Sequence, residues 1–302
     1  SFRLHGFLAA VSVRRLEEVG EELSRWATSG LTRVPTGYPL FDSRTNGGIA
    51  PGEVFLFLAR TSVGKTWWAL NMIANQDETT PMVFFSLEMH ARYILQRLAG
   101  IASNTPTIDI ERSLSTTGEA AGVGIAERRY PMLAIEDEPG LSVRSMGEAL
   151  EEYAATFGQP ARLAVVDYME LVRAPGMSQM ESVDKLGWSL KDFARKEDIA
   201  LVLLHQVKRG DNNQGHQPLT MTDARFGGEM SADYVAGAFR PCLNPNLSPD
   251  MRAAMEDDFR LQFLKTRSSG GIYPDGVRHY FDTQTGSIVP MPSDLPSGQL
   301  GF

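Results

Sequence analysis

Residues Val54–Leu70, VFLFLARTSVGKTWWAL, constrain the fold more tightly than any other stretch of this 302-residue chain. A run of apolar residues reads as a buried strand. A tight loop follows, and then a helix that opens at Gly64-Lys65-Thr66. The octet Ala59-Arg60-Thr61-Ser62-Val63-Gly64-Lys65-Thr66 fits the phosphate-binding pattern, with Ala where the strict motif has its first Gly. The residue types follow from what a polyphosphate needs. Helix N-terminal amides are unsatisfied donors with a favourable dipole. Gly64 lets the backbone pass close to the phosphates. Lys65 supplies a point charge for the β- and γ-phosphates, and Thr66 offers a hydroxyl to Mg²⁺. The competing reading is an ordinary strand-to-helix turn that happens to contain Gly-Lys-Thr. Strand, loop and helix all fall where the motif needs them, which favours the nucleotide site.

The rest of the chain alternates short apolar runs with helical patterns, as expected of an α/β domain with a largely parallel sheet flanked by helices. Strands are expected at Met82–Ser86, Met132–Ile135, Leu163–Val166, Ala200–Leu204, Tyr234–Phe239, Arg260–Leu264 and Val277–Phe281, the last paired with Arg260–Leu264. Helices are expected over His90–Ala102, from a Ser142 cap to about Phe157, over Ser182–Lys196, and briefly near Pro249–Asp257. Residues 103–130, rich in Thr, Ser and Gly, show only a weak helix around Gly118–Arg128. Ahead of the domain, residues 14–29 place Leu16, Val19, Leu23 and Trp26 on one stripe of a charged helix. That pattern fits packing on its own domain or docking on a neighbouring subunit. The expected organisation is a linker and subunit-docking helix over 1–31, an ATPase domain over 32–289 and a loose Pro/Ser/Gly-rich tail over 290–302.

Composition excludes little. With 42% hydrophobic residues the chain is ordinary for a soluble globular protein, and no apolar run approaches bilayer-spanning length. A single cysteine, Cys242, excludes an intrachain disulfide and a multi-cysteine metal site, and suits a reducing cytoplasm. The net charge of −8 argues against a basic coat but leaves room for a local positive groove.

Parallel sheets bind ligands beyond the carboxyl ends of their strands. Several polar residues fall at such ends: Lys65 and Thr66, then Glu88, Asp167 and Gln206. Asp167 is the expected second Mg²⁺ anchor, against the alternative of a turn or cap residue. Glu88 can orient and deprotonate an attacking water, or simply begin a helix. Gln206 can bond the γ-phosphate or that water, or be satisfied by nearby backbone.

Five segments give the chain a closer resemblance: Pro35-Thr36-Gly37 with Asn46-Gly47-Gly48, Ala59–Thr66, Phe84-Phe85-Ser86-Leu87-Glu88-Met89, Val165-Val166-Asp167-Tyr168 and Lys265-Thr266-Arg267. From about Thr32 to Phe281 the chain resembles the RecA-like motor domain of DnaB-family replicative helicases. That resemblance implies a phage or bacterial protein of the cytoplasm. It would bind ATP and Mg²⁺, assemble as a homo-oligomeric ring or filament, commonly a hexamer, and move along single-stranded DNA. The family's amino-terminal primase-binding domain has no counterpart in the residues present, leaving only the linker-like helix.

The resemblance also assigns roles. Lys65 and Thr66 hold phosphate and metal, Glu88 is the catalytic base, Asp167 the second metal anchor and Gln206 the sensor. Lys265 and Arg267 become cations acting on the nucleotide of the next subunit; spacing alone would leave them a solvated surface pair. Segments 173–185 and 207–217 correspond to DNA-gripping loops, with Lys208 and Arg209 as phosphate contacts and Arg173 and Lys185 as lesser candidates. Here His205 replaces the small polar residue usual before the sensor glutamine.

Two other classes remain open at this stage. One is a recombinase-like or repair protein on the same fold, including a nuclease that would draw on Glu136-Asp137-Glu138 or Glu256-Asp257-Asp258. The other is a nucleotide-binding switch without turnover, against which Glu88 and Asp167 together argue.

Overall fold

The computed structural model describes residues 13–29, 33–172, 179–207, 215–223, 231–267 and 271–291, with main chain alone over 179–184. The chain divides into two compact units, Ser1–Thr32 and Arg33–Phe302. In the first, helix α1 (Leu16–Thr28) carries the expected apolar stripe and buries none of its side chains. Leu16 is 87% exposed and Leu23 61%. Glu17 and Glu18 in its first turn and Arg25 in its last complement the helix dipole.

The second unit begins with α2 (Pro39–Asp42), β1 (Val54–Ala59), α3 (Lys65–Ala74), β2 (Met82–Ser86), α4 (Ala91–Ser103), α5 (Thr107–Thr117) and α6 (Ala121–Arg129). It continues through β3 (Leu133–Glu136), α7 (Val143–Phe157), β4 (Leu163–Asp167), α8 (Gln179–Lys196), β5 (Ala200–Gln206) and β6 (Tyr234–Phe239). It closes with α9 (Pro249–Ala253), β7 (Asp258–Thr266), β8 (Tyr273–Phe281) and β9 (Ile288–Pro290). Among the described residues one sheet runs β3-β2-β4-β5-β1-β6-β7-β8-β9. Strands β1 to β6 are mutually parallel, and β7, β8 and β9 extend the sheet antiparallel.

The central strands are apolar up to their carboxyl ends because both faces of the sheet are covered. All six residues of β1 are buried, and their alternation sorts them. Phe55, Phe57 and Ala59 join a cluster with Tyr38, Phe41 and Trp68. Val54, Leu56 and Leu58 join the other cluster with Met146, Leu150, Leu190 and Phe193 from α7 and α8. The Trp68 ring stacks on Phe57 with centroids 3.8 Å apart and planes 2° from parallel, which fixes α3 against β1. Ser142 caps α7 as expected, accepting from the Ser145 N–H at 3.2 Å.

The two small-residue motifs before β1 pack on each other. Val34 and Ile49 form a β-bridge. A Cβ on Gly48, whose φ is +136°, would lie 2.2 Å from the Val34 carbonyl oxygen. Thr36 donates its hydroxyl to Asp42 at 2.7 Å and closes the lead-in.

Two elements differ from expectation. Residues 103–130 form two helices, α5 and α6, rather than one weak helix. Helix α5 buries only Ile110, so its sequence has almost no apolar stripe; Gly118 ends it in a left-handed conformation. The chain also adds β9, at the end of the expected domain, where the sequence shows no strand pattern. Asn71 of α3 holds this strand, accepting from Ile288 N–H at 2.8 Å and donating to the Gly286 carbonyl at 2.7 Å. Strands β5, β7 and β8 run longer than their apolar cores because ladder bonds carry them into polar residues.

Candidate functional site

The phosphate loop leaves β1 at its carboxyl end and turns into α3. Gly64 is the N-cap, with φ +118°, and a Cβ there would crowd the Phe259 ring at 3.3 Å. Its carbonyl accepts the Trp68 N–H at 3.0 Å, so the first amides of α3 face the loop. A cavity of about 290 Å³ opens here. Arg60, Thr61, Ser62, Gly64, Lys65 and Thr66 line it, with Glu88, Gln206, Arg97 and Trp67 from outside the loop. Ala59 and Val63 sit elsewhere: their side chains are wholly buried in the core. Only their main chain is available to a phosphate. The Arg60 side chain reaches away to Asp223 at 3.1 Å and to the Gln217 carbonyl at 3.2 Å, tying the loop to the segment before β6.

The adjacency of β1, β2, β4 and β5 converges the strand-end residues. Lys65 Nζ lies 2.8 Å from Glu88 Oε2 and 3.4 Å from Asp167 Oδ1, and sits over the Tyr168 ring. Thr66 donates its hydroxyl to Asp167 Oδ2 at 2.6 Å. Gln206 donates through Nε2 to the Thr61 hydroxyl at 2.9 Å, and its backbone N–H donates to Glu170 Oε1 at 3.1 Å. His205 is buried beside it, with Nδ1 2.7 Å from the same Glu170 oxygen. Glu170 lies on the short 3-10 turn Met169–Leu171 that follows β4.

The electrostatics are those of a site built for further charge. Burial raises the Asp167 pKa, and Lys65 and the Thr66 hydroxyl only partly offset it. Burial alone would lower Lys65, but the carboxylates of Asp167 and Glu88 outweigh it and lift the ammonium above its ordinary value. Asp167 Oδ1 is buried without a hydrogen-bond partner. A hard oxygen-preferring cation fits this donor set: a carboxylate with an orphaned oxygen beside a hydroxyl, with phosphate oxygens to supply the remaining ligands. The glutamate is differently placed. Glu88 keeps 46% of its side chain exposed, so it can meet a water at the mouth of the cavity.

Arg97 was not among the sequence candidates. It comes from α4, places its guanidinium 4.7 Å from the Trp67 ring centroid and lines the cavity. Burial lowers its pKa, while Asp167 and Glu88 push the other way. The available signal was positional: Arg97 sits one turn after buried Ile94 and beside buried Leu98, a charge on the inward side of its helix.

Lys265 and Arg267 are at the other end of the sheet. Strand β7 runs antiparallel to β6, with Thr266 opposite Tyr234, so both cations reach the amino ends of the parallel strands. A strand of six residues spans roughly 17–20 Å, which separates Arg267 from the phosphate loop of its own chain. Lys265 donates to the Ala232 carbonyl at 2.8 Å, and Arg267 pairs with Asp233 at 2.9 Å. Lys208, Arg209 and Arg173 lie outside the described residues, and Lys185 is exposed on α8.

The acidic runs serve the fold. Asp137 accepts the Ala91 N–H at 2.7 Å at the start of α4, and Glu136 accepts the Glu138 N–H at 2.9 Å. Asp258 takes two bonds from Arg260, at 2.6 and 2.8 Å. Among the described residues no group of three or more His, Cys, Asp or Glu could hold a metal ion.

Comparison with known proteins identifies the family and the fold. The family model described as DnaB-like helicase C terminal domain matches residues 33–268. The replicative DNA helicase DnaB of Pasteurella multocida is 29% identical over 226 residues, 70% of this chain and 47% of that one. The replicative DNA helicase DnaC of Bacillus subtilis is 28% identical over 221 residues, 70% of this chain and 48% of that one. The chain thus spans about half the length of these relatives. Among solved structures, one described as an ATPase domain superimposes with a TM-score of 0.72 at 23% identity, covering 91% of this chain and 97% of that one. A DnaB-like replicative helicase solved for its interactions with primase gives a TM-score of 0.71 at 21% identity, covering 93% and 68%. The chain belongs to the DnaB-like helicase C-terminal domain family, and its fold is the RecA-like ATPase fold.

Proposed function

We propose that this member of the DnaB-like family is a Mg²⁺-dependent ATPase that moves along single-stranded DNA as a homo-oligomer in the bacterial or phage-infected cytoplasm. One observation carries the reading. Lys65, Thr66, Glu88 and Asp167 meet at the carboxyl ends of the strands, while Lys265 and Arg267 stand at the amino ends. A heterologous, head-to-tail interface brings one end of a subunit against the other end of the next, which closes into a ring or extends into a filament.

Each residue then has a physical task. The first amides of α3 and the Lys65 ammonium hold the phosphates, and Lys65 exchanges its carboxylate partners for phosphate oxygens. Thr66 and Asp167 would hold Mg²⁺, which would supply charge neutralisation at the phosphates. Glu88, released from Lys65, accepts a proton from the attacking water. Gln206 orients that water or the γ-phosphate, and its bond to Glu170 links the site to the ends of β4 and β5. Arg267 and Lys265 of an adjacent copy stabilise the charge that develops on the transferred phosphoryl group, so turnover depends on assembly. The segments after β4 and β5, including Lys208 and Arg209, contact the DNA backbone. Helix α1 belongs to a linker over 1–31, and its apolar stripe docks on a neighbouring copy. Residues 32–289 are the motor and 290–302 the tail.

The test is ATP turnover with and without single-stranded DNA, alongside strand displacement on a forked duplex. DNA-stimulated turnover with displacement supports the motor. Turnover indifferent to DNA contradicts it.

A further inference from the structure

Asp233 stands one residue before β6, at the amino ends of the parallel strands, and does not belong to any motif of the sequence. It is 5% exposed, and its carboxylate is the meeting point of three elements. Oδ2 accepts the Val54 N–H at the start of β1 at 2.8 Å and the Lys191 ammonium of α8 at 2.5 Å. Oδ1 accepts an Arg267 guanidinium N–H at 2.9 Å. The main chain repeats the connection: Arg267 N–H donates to the Asp233 carbonyl at 3.1 Å, and Asp233 N–H donates to the Val54 carbonyl at 2.9 Å.

Two features separate this cluster from a neutral structural ion pair. Among the described residues Lys191 and Arg267 share a single carboxylate, so the described cluster carries a surplus positive charge. Lys191 cannot discharge it outward, because it is held inside by Asp233 and the Gly52 carbonyl at 2.7 Å. Arg267, by contrast, keeps 52% of its side chain exposed while one N–H is pinned from behind. A guanidinium is a planar fork of five donors, so pinning one of them from behind restricts where the others can point. Removing that anchor would leave a long side chain free to sample many rotamers before each reaction.

We infer that Asp233 is a positioning residue: it holds Arg267 from behind and aims its free donors at an anionic group, the terminal phosphate of a nucleoside triphosphate bound to another copy of this chain. This rests on the reading of Arg267 as a group acting in trans. Asp233 itself touches no substrate. Its effect passes wholly through the arginine.

The test is steady-state ATP turnover of the full chain with single-stranded DNA. Asp233→Asn keeps an oxygen acceptor for the Val54 N–H and removes the charge. We expect kcat to fall about tenfold, KM to stay within about twofold, and no further loss when the change is added to Arg267→Ala. Native kcat in Asp233→Asn, or a further loss in the double variant, would overturn the inference. Should the Asn variant not fold, Asp233→Glu keeps the charge and moves the carboxylate by one methylene. Full kcat in that variant would also overturn it, and a several-fold loss at unchanged Tm would support it. Arg267→Ala alone separates the two readings. If it keeps native kcat, the trans role fails and the inference with it. If it is inactive while Asp233→Asn is native, only the positioning role fails.

Discussion

The two ends of the parallel strands carry similar side chains in opposite states of completion. At the carboxyl ends, Lys65 faces two carboxylates, Asp167 and Glu88, and among the described residues the buried Oδ1 of Asp167 accepts no hydrogen bond and meets only the Lys65 ammonium at 3.4 Å. At the amino ends, Asp233 faces two cations, Lys191 and Arg267, and each of its oxygens accepts a hydrogen bond. The carboxyl end therefore has unmet demand for a cation, and the amino end has positive charge to spare. A metal-bound polyphosphate arriving at the first brings the cation and also an excess of negative charge, which the second can meet. On the proposed function, neither end of one subunit would complete the chemistry alone.

The largest effect should come from the amino end. Arg267→Ala is expected to lower kcat by about 10³ or more, as for other arginines supplied across an interface, with nucleotide binding retained in a fluorescent-nucleotide titration. An equal loss of binding would mean that Arg267 supports the fold and not the reaction. At the carboxyl end, Glu88→Gln is expected to cost about 10²–10⁴ in kcat, the range for a positioned general base. Because it frees Lys65 from its carboxylate partner, nucleotide affinity should rise or hold. A fall in affinity would break that assignment. Arg97→Ala is expected to weaken nucleotide binding about tenfold, the scale of one hydrogen bond to a charged group. Quenching of Trp67, whose ring the guanidinium covers, gives a direct readout.

The smallest effect sharpens the contrast most. Burial raises the pKa of Asp167, so the folded state binds its proton more tightly than the unfolded chain does. The stability tied to that proton is present below the unfolded value and lost as pH rises through the folded one. At neutral pH, Asp167→Asn should therefore stabilise the nucleotide-free domain by about 0.5–2 kcal/mol, at the expense of turnover. The gap in Tm from the native chain should close as pH falls into the ordinary carboxylate range. Asp233→Asn should do the reverse and lower Tm, because its partners are already satisfied.

What the sequence made legible was what it stores locally. Eight consecutive residues specify the phosphate loop, because its strand, turn and helix dictate one another. Asp167 could be placed at a strand end because it directly follows an uninterrupted apolar run, and Glu88 and Gln206 because such runs end shortly before them, at Phe85 and Leu204. Helix α5 could not be read, since its stability comes from packing on α4 and α6 and not from a stripe of its own. Strand β9 is held by pairing with β8 and by an asparagine more than two hundred residues upstream. Arg97 and Asp233 belong to the same class. A charge on a helix or before a strand is unremarkable until the fold brings Trp67, Lys191 or Arg267 against it.

The central claim is that one reaction site is divided between opposite ends of the sheet in two copies of the chain. Mixing Lys65→Ala subunits, which lack a working phosphate site, with Arg267→Ala subunits, which lack the donated arginine, tests it directly. In an equal mixture about one quarter of heterologous interfaces pair an intact site with an intact arginine, so turnover should recover to about that fraction of native. Turnover no greater than that of the two variants measured separately would contradict the account.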